Sequence, residues 1–323
     1  MKGSHLLAAL AVFVLSLLVP LVVQTDYVLQ ILFRIYLFAA LGLAWNLVGG
    51  YAGQLSLGHA AYFGAGAYGL ALFSGKLGIS PWLAVLFGIM VALACALLIG
   101  GVSFRLRGPY FVLATIAFGE VLRLIVKNLP GITGGDVGLQ VPALFHVNVN
   151  RAFYWAAVLL TALAYATTVA ISRARFGYYL MAIREDEDTA LSIGIGAART
   201  KLLALLISAA LTSLAGSLYG SLFLYVVPDQ VLSIDVSNEI AIVAMLGGAG
   251  TVLGPIVGSV VLESASEIFK NIFKEAHLLI YGVLLVVVVL FLPEGIVGTL
   301  AAYLRRRAMF GGIGARAKGL AAR

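Results

Sequence analysis

Three polar side chains interrupt an otherwise apolar stretch near residue 55. Gln54, Ser56 and His59 lie in the run 49–59, which also contains four glycines. Irregular backbone at membrane depth is tolerated where it lines a water-filled cavity, so these side chains could line a polar path. They could equally bridge neighbouring helices through hydrogen bonds. Because no second histidine or carboxylate stands at ligand spacing from His59, a metal site there is not indicated.

Charged side chains also occur inside apolar runs. Glu120 and Arg123 stand one helical turn apart in the run 109–126. An unpaired charge at the centre of a bilayer costs at least ~2.5 kcal/mol, so we expect an ion pair that faces the helix bundle. A proton or substrate site is the alternative. Glu263 and Glu267 share one helix face at i,i+4, and we expect them to pair with other helices, with a proton relay as the alternative.

The longest polar run between apolar segments is the docking region, residues 173–201. Within it, 184–196 predicts one short helix, because acidic residues favour a helix N-terminus and glycines favour the end of a helix. Apolar residues follow the acids, which indicates a surface that another protein covers. The candidate contact residues are Arg184, Glu185, Asp186, Asp188, Ala190 and Gly194.

The composition fixes the class of protein that must position these groups. The chain has 323 residues, of which 62% are hydrophobic and only 11% charged, whereas soluble domains are about 25% charged. The apolar runs are continuous rather than alternating, which indicates membrane helices and not a β-barrel. The basic residues that give the net charge of +7 cluster in loops and the C-terminal tail, so they reflect membrane topology and not nucleic-acid binding. The single cysteine excludes an internal disulfide.

The apolar runs predict an all-α, polytopic membrane bundle of about 8–10 transmembrane or re-entrant segments in a single domain, 1–323. Several runs are shorter than the ~20 residues that a span requires, which predicts broken or re-entrant helices. The glycine-rich run 247–255 ends in a proline and predicts a helix break. Ten segments are expected, at 6–23, 28–48, 57–74, 81–101, 109–126, 152–171, 202–226, 238–249, 255–269 and 278–292.

The distribution of basic residues predicts the orientation. With a cytoplasmic N-terminus, the docking region and the basic tail at 299–323 both lie inside, as the positive-inside rule requires. The short loops at 24–27 and 228–237, which carry aspartates, then lie outside. Both termini are therefore predicted to be cytoplasmic, with 6–23 as an uncleaved first span.

Four stretches carry a resemblance to a known family. They are GYAGQLSLGHAAYFGAGAY at 50–68, LRGPYFVLATIAFGEVLRL at 106–124, TGGDVGL at 133–139 and AIREDEDTALSIGIGAARTKLLALLISAALTSLAGSLYG at 182–220. Together they resemble the LivH/LivM family, the permease subunits of branched-chain amino acid ABC importers. Permeases of ABC importers carry an E-A-A-x-x-x-G loop whose short helix fits a groove in the ATPase. Asp188-Thr189-Ala190-x-x-x-Gly194 is similar to it, with Asp for Glu and Thr for the first Ala.

The resemblance implies a multi-pass subunit of a bacterial inner membrane that forms half of the translocation pathway. Its implied partners are a homologous second permease, two ATPase subunits, a periplasmic or tethered solute-binding protein and the lipid bilayer, with no nucleic acid. The ATPases would contact the docking region, and Gln54, Ser56, His59 and Glu120 are the candidate pathway residues. The chain has no G-x-x-x-x-G-K-[ST] phosphate loop. We therefore expect no enzyme activity and no cofactor in this chain, with ATP bound by the partner subunits.

Two other functions stay open at this point. A sister permease for urea or short amides would have a very similar sequence. An ion-coupled secondary transporter could use Glu120, Glu263 and Glu267, and it would transport solute without ATPase subunits. A membrane enzyme is not favoured, because the four histidines are scattered along the sequence.

Overall fold

The computed structural model describes residues 13, 15–23, 25–106, 108–273, 282 and 295–300. Within these ranges six helices are long and apolar enough to cross a membrane. The predicted all-α, polytopic membrane bundle is confirmed. Predicted segment 278–292 and the tail lie almost entirely outside the described residues, and so do eight of the 18 residues of segment 6–23; residues 15–22 are helical.

Between residues 26 and 133, the described part of the chain contains five helices. They are α1 (Asp26–Asn46, continued by the π-helical turn Leu47–Tyr51), α2 (His59–Leu70, continued by the π-helical turn Ala71–Lys76), α3 (Pro81–Ser103), α4 (Pro109–Lys127) and the single turn α5 (Pro130–Thr133). Proline starts α3, α4 and α5. Proline suits this position because its missing N–H would have no partner in the first turn of a helix.

The rest of the described chain contains further helices and a short two-stranded ribbon. Its elements are β1 (Leu139–Gln140), α6 (Val149–Arg173), α7 (Arg175–Glu185), α8 (Glu187–Ser192), α9 (Ala197–Phe223), β2 (Tyr225–Val226), α10 (Pro228–Val231), α11 (Ile234–Gly247) and α12 (Gly254–Phe273). The helix break predicted at 247–255 is confirmed, because α11 ends at Gly247 and α12 begins at Gly254.

The centre of the bundle is the contact between α2 and α9. A Cβ atom on Gly66 would overlap the carbonyl of Ser213, and one on Gly216 would overlap the carbonyl of Phe63. Ser217 Oγ donates a hydrogen bond of 3.0 Å to the Gly66 carbonyl across the same contact. Small residues allow helix backbones to approach this closely. The glycines of α2 and α9 therefore set the distance between the two helices.

Helix α1 is the other buried element and packs against α6 and α12. Its apolar residues in the second half, such as Leu37, Leu41 and Leu43, are completely buried. Hydrogen bonds to its backbone add to this packing: Thr161 Oγ1 on α6 donates to the Tyr36 carbonyl at 2.6 Å, and Ser259 Oγ on α12 donates to the Ile35 carbonyl.

The bundle has two distinct ends. Helix α9 has 27 residues, so at 1.5 Å per residue it separates its ends by about 40 Å. One end, the docking end, carries α7 and α8. The other, the ribbon end, carries β1 and β2, which pair antiparallel with Leu139 opposite Val226. Lys127 lies at the ribbon end and is paired there with Asp136 and Asp229.

Candidate functional site

The two glycine-rich helix breaks meet each other in the interior of the bundle. The side chain of Asn46, the last residue of α1, is completely buried. Its Nδ2 donates to the Thr251 carbonyl at 2.8 Å, and its Oδ1 accepts from the Gly250 N–H at 2.7 Å. A Cβ atom on Gly50 would overlap the Gly250 nitrogen. The backbone turns at 47–53 and 248–251, which we call the paired breaks, therefore form one structural unit.

Arg184 connects the docking region to this unit. It lies near the end of α7, and its Nη1 donates a hydrogen bond of 2.8 Å to the Gly50 carbonyl. A Cβ atom on Gly250 would overlap the same Nη1, and one on Gly53 would touch the Arg184 side-chain stem. Arg184 is thus inserted against both of the paired breaks, although it was selected from the sequence as a contact to another protein.

The docking region contains two helices and not the single helix predicted at 184–196. Asp186 has extended backbone (φ −159°, ψ 114°) and caps α8 by accepting a 2.7 Å hydrogen bond from the Thr189 N–H. Because an N-cap residue leaves helical geometry, α7 ends at Glu185 and α8 begins at Glu187. Gly194 follows α8 with a φ of +87°, in the left-handed region that favours glycine.

The docking region also divides its side chains between the interior and the surface. Ala190 is 1% exposed and packs against Ile183 and Ala197 of the same chain. Leu191 and Ile193 are 47% and 71% exposed. Glu185, Asp186, Asp188 and Gly194 also lie at the surface. In and directly after α8, the exposed apolar groups that a partner could cover are therefore Leu191 and Ile193, and not Ala190.

A buried ion pair holds α8 against α9, and sequence reasoning missed it. Lys201 is 1% exposed, and its Nζ lies 2.7 Å from Glu187 Oε2. The ammonium also lies 5.9 Å from the ring centre of Phe104, at the docking end of α3. Residues 197–201 are helical, so the last part of the docking region is the first turn of α9. The signal available in the sequence was a lysine next to the apolar run 202–226.

The three polar residues of the run 49–59 do not converge on one point. His59 is completely buried, and its Nε2 lies 2.9 Å from Ser208 Oγ on α9. The Ser56 carbonyl accepts a 2.7 Å bond from Trp45 Nε1, whereas Gln54 is half-buried. Among the described residues, Ser56 Oγ and His59 Nδ1 have no hydrogen-bond partner. Buried polar atoms of this kind are commonly satisfied by water.

Glu120 lines a cavity that also borders the run 49–59 at Leu57. The cavity has a volume of about 210 Å³ and is lined by Leu57, Ala60, Ile116, Gly119, Glu120, Leu232, Ile234 and Ser237. The expected ion pair with Arg123 forms, and Arg123 also binds Asp229 at the start of α10. Glu120 is 43% exposed, so the pair lies at an open surface and not inside the bundle.

The second pair of acids forms contacts between α12 and α1. Glu263, which is 4% exposed, lies 3.3 Å from Arg34. The Tyr27 hydroxyl donates to Glu267 at 2.5 Å. The prediction that both acids contact another helix is therefore confirmed.

Comparison with known proteins identifies the family to which the chain belongs. Residues 27–289 match the family described as the permease component of the branched-chain amino acid transport system. The chain belongs to this family. The permease is 30% identical over 315 residues to the high-affinity branched-chain amino acid transport system permease protein LivM of Escherichia coli (strain K12), covering 88% of this chain and 73% of that protein.

Two further relatives show how far the similarity extends. LivM of Salmonella typhimurium is 30% identical over 288 residues, or 80% of this chain and 67% of the relative. The LivH permease protein of the same organism is 26% identical over 286 residues, which cover 81% of this chain and 91% of that relative. No solved structure matches the permease. The family match includes the paired breaks and the docking region, so both belong to the part of the permease that its family shares.

Proposed function

We propose that this permease is the membrane-spanning subunit of an ATP-driven importer for branched-chain or related hydrophobic amino acids. It forms half of the translocation pathway, and a homologous second permease forms the other half. Two ATPase subunits bind at the docking end, which faces the cytoplasm, and a solute-binding protein delivers solute at the ribbon end. The similarity to LivM and LivH, whose names specify branched-chain amino acid transport, supports this solute class over urea or short amides.

The observation that carries the proposal is the contact of Arg184 with the paired breaks. Arg184 belongs to the docking region, yet it is bonded to Gly50, at the junction between α1 and α2. Gly250, at the junction between α11 and α12, lies against the same guanidinium group. A displacement of α7 and α8 by the ATPases would therefore reach four helices through one side chain. Packed elements transmit such movements as rigid bodies.

The surface of α8 supports an ATPase contact. Leu191 and Ile193 present exposed apolar groups, and Glu185 and Asp188 surround them with negative charge at the surface. An apolar centre with a polar rim is the usual composition of a protein interface. The ion pair between Glu187 and Lys201 holds α8 against α9, so α8 is anchored to the bundle.

The 210 Å³ cavity supports a solute path beside α4. Its walls combine aliphatic side chains with the Glu120 carboxylate and the Ser237 hydroxyl. The irregular backbone at 52–58 forms part of its boundary through Leu57. Irregular backbone inside a membrane protein is characteristic of a wall that faces a cavity. An aliphatic amino acid, with an apolar side chain and charged polar groups, suits this lining.

A co-purification experiment tests the docking surface. Ile193→Asp places a carboxylate in the apolar centre of α8, and burying it unpaired at an interface should weaken ATPase binding by about tenfold or more. Val147→Asp is the matched control, because Val147 is similarly exposed, at 76%, but lies before α6 at the ribbon end. The proposal fails if the ATPases co-purify equally with both variants, or if they are lost equally from both.

A transport assay in proteoliposomes tests the coupling step. Arg184→Gln leaves Leu191 and Ile193 in place, so the ATPases should still bind while ATP-driven uptake falls by at least tenfold. Arg175→Gln, at an exposed position on the same helix, should retain normal uptake. Uptake by the permease alone under an ion gradient would instead identify an ion-coupled transporter and overturn the proposal.

A further inference from the structure

An apolar groove lies at the ribbon end, away from the paired breaks and the docking region. Its volume is about 450 Å³, and its walls come from the start of α3, the start of α6, the last third of α9 and the loop before α6. Representative wall residues are Trp82, Phe145, Ala156, Leu160 and Leu214. Ser217 also lines the groove, but its hydroxyl is already bonded to the Gly66 carbonyl.

The position of the groove within the membrane indicates its occupant. It runs along α6 from Ala152 to Leu160, which is eight residues or about 12 Å at 1.5 Å per residue. One leaflet of a bilayer has a hydrocarbon depth of about 15 Å. The wall residues Trp82, Trp155 and Leu159 are 60%, 37% and 60% exposed, so the groove opens sideways, where lipid surrounds a membrane-spanning bundle.

The rim of the groove carries a charge at the level of the lipid headgroups. Arg151 lies in the first turn of α6, one turn before Trp155 on the same helix face. It makes no ion pair or hydrogen bond with any residue that the structure describes. A tryptophan and an arginine arranged in this way suit the boundary between hydrocarbon and phosphate, because the ring lies at the interface and the guanidinium binds phosphate well.

The groove is also preformed. The Phe145 ring meets Trp82 edge-on at 5.6 Å and Phe153 edge-on at 5.1 Å. The Trp155 indole donates a 3.1 Å hydrogen bond to the Leu17 carbonyl, which fixes the opposite wall. Binding to a rigid, open groove costs less free energy than binding to one that must first open. We infer that the groove binds one acyl chain of a phospholipid from the leaflet at the ribbon end, with the lipid phosphate on Arg151.

The test uses the permease purified within its full complex and counts the phospholipids that remain bound after detergent exchange, by native mass spectrometry. Ala156→Trp fills the groove and should remove one retained phospholipid per permease. Leu163→Trp is the matched control, because Leu163 is 51% exposed on the same helix but does not line the groove. Equal retention by both variants, or equal loss from both, would overturn the inference.

Two further measurements separate lipid from other occupants. Arg151→Gln leaves the apolar walls intact, and it should increase the rate of phospholipid loss by about tenfold, as expected for one charge-assisted contact. Unchanged retention would exclude the phosphate contact. A photoreactive group attached at Ala156→Cys should crosslink to phospholipid. Crosslinking to a partner subunit instead would mean that the groove is a protein interface, and the inference would be wrong.

Discussion

The backbone N–H of Gly250 donates a 2.7 Å hydrogen bond to Oδ1 of Asn46, which lies 204 positions earlier in the chain. Nδ2 of the same amide donates to the Thr251 carbonyl. The turn at 248–251, which follows the end of α11, leaves a backbone N–H and a backbone C=O without helical partners. The buried Asn46 side chain bonds to both of them. Unpaired backbone groups of this kind are costly inside a protein, so Asn46 links the two halves of the bundle by a physical requirement.

Asn46→Ala should destabilise the permease by about 2 kcal/mol or more, because it leaves a buried N–H and a buried C=O without partners. The free energy of unfolding in mixed detergent micelles measures this effect. Asn128→Ala is the control. The exposed Asn128 amide bonds only to the Leu124 carbonyl in the preceding turn, so its loss should change stability by no more than about 0.5 kcal/mol. Similar losses in both variants would contradict the assigned role of Asn46.

Gly66→Ala should destabilise the contact between α2 and α9 by about 1 to 3 kcal/mol, because the added methyl group overlaps the Ser213 carbonyl. Gly101→Ala is a matched control in α3, where an added Cβ atom meets nothing within 4 Å. Alanine is intrinsically the better helix former, so the control should be neutral or slightly stabilising. The melting temperatures of both variants provide the measurement. If Gly66→Ala is as stable as the unchanged protein, α2 and α9 are farther apart than the structure places them.

Glu187→Gln should be more damaging than Lys201→Met. The first change leaves the buried Lys201 ammonium without its carboxylate, which costs about 3 kcal/mol or more, whereas the second removes the buried charge itself. The double variant should therefore recover much of the stability lost in Glu187→Gln. Arg199→Gln, at an exposed position on the same turn of α9, should have almost no effect. The test is the order of the melting temperatures, in which Glu187→Gln should be lower than both Lys201→Met and the double variant; the reverse order would exclude a buried charge at Lys201.

Arg34 and Glu263 should show a coupling energy of about 1 kcal/mol or more in a double-mutant cycle with glutamine, since each is the other's ion-pair partner inside the bundle. The comparison cycle pairs Arg34 with Glu120, which lies on α4 and binds Arg123 instead. Its coupling should be zero within about 0.5 kcal/mol. Unfolding free energies of the single and double variants provide both values. Equal coupling in the two cycles would mean that Arg34 responds only to general electrostatics.

The local features of this permease follow from its sequence. Continuous apolar runs predict membrane helices because no other backbone arrangement satisfies its own polar groups in lipid. The break before Gly254 follows from flexible glycines and from a proline that lacks a donor, and the small-residue face near Gly66 follows from its spacing. Even the expected ion pair of Glu120 with Arg123 needs only the helical repeat, which brings residues three apart together.

The connections between distant parts of the chain depend on the tertiary structure. Asn46 meets Gly250, Arg184 meets Gly50, and Lys201 reaches Glu187 only when separate helices pack together. The sequence predicted a partner contact in the docking region, yet it did not distinguish Ala190, which packs inside, from Ile193, which is exposed. A helical repeat specifies which residues share a face, but the partner of that face is decided by how remote helices pack.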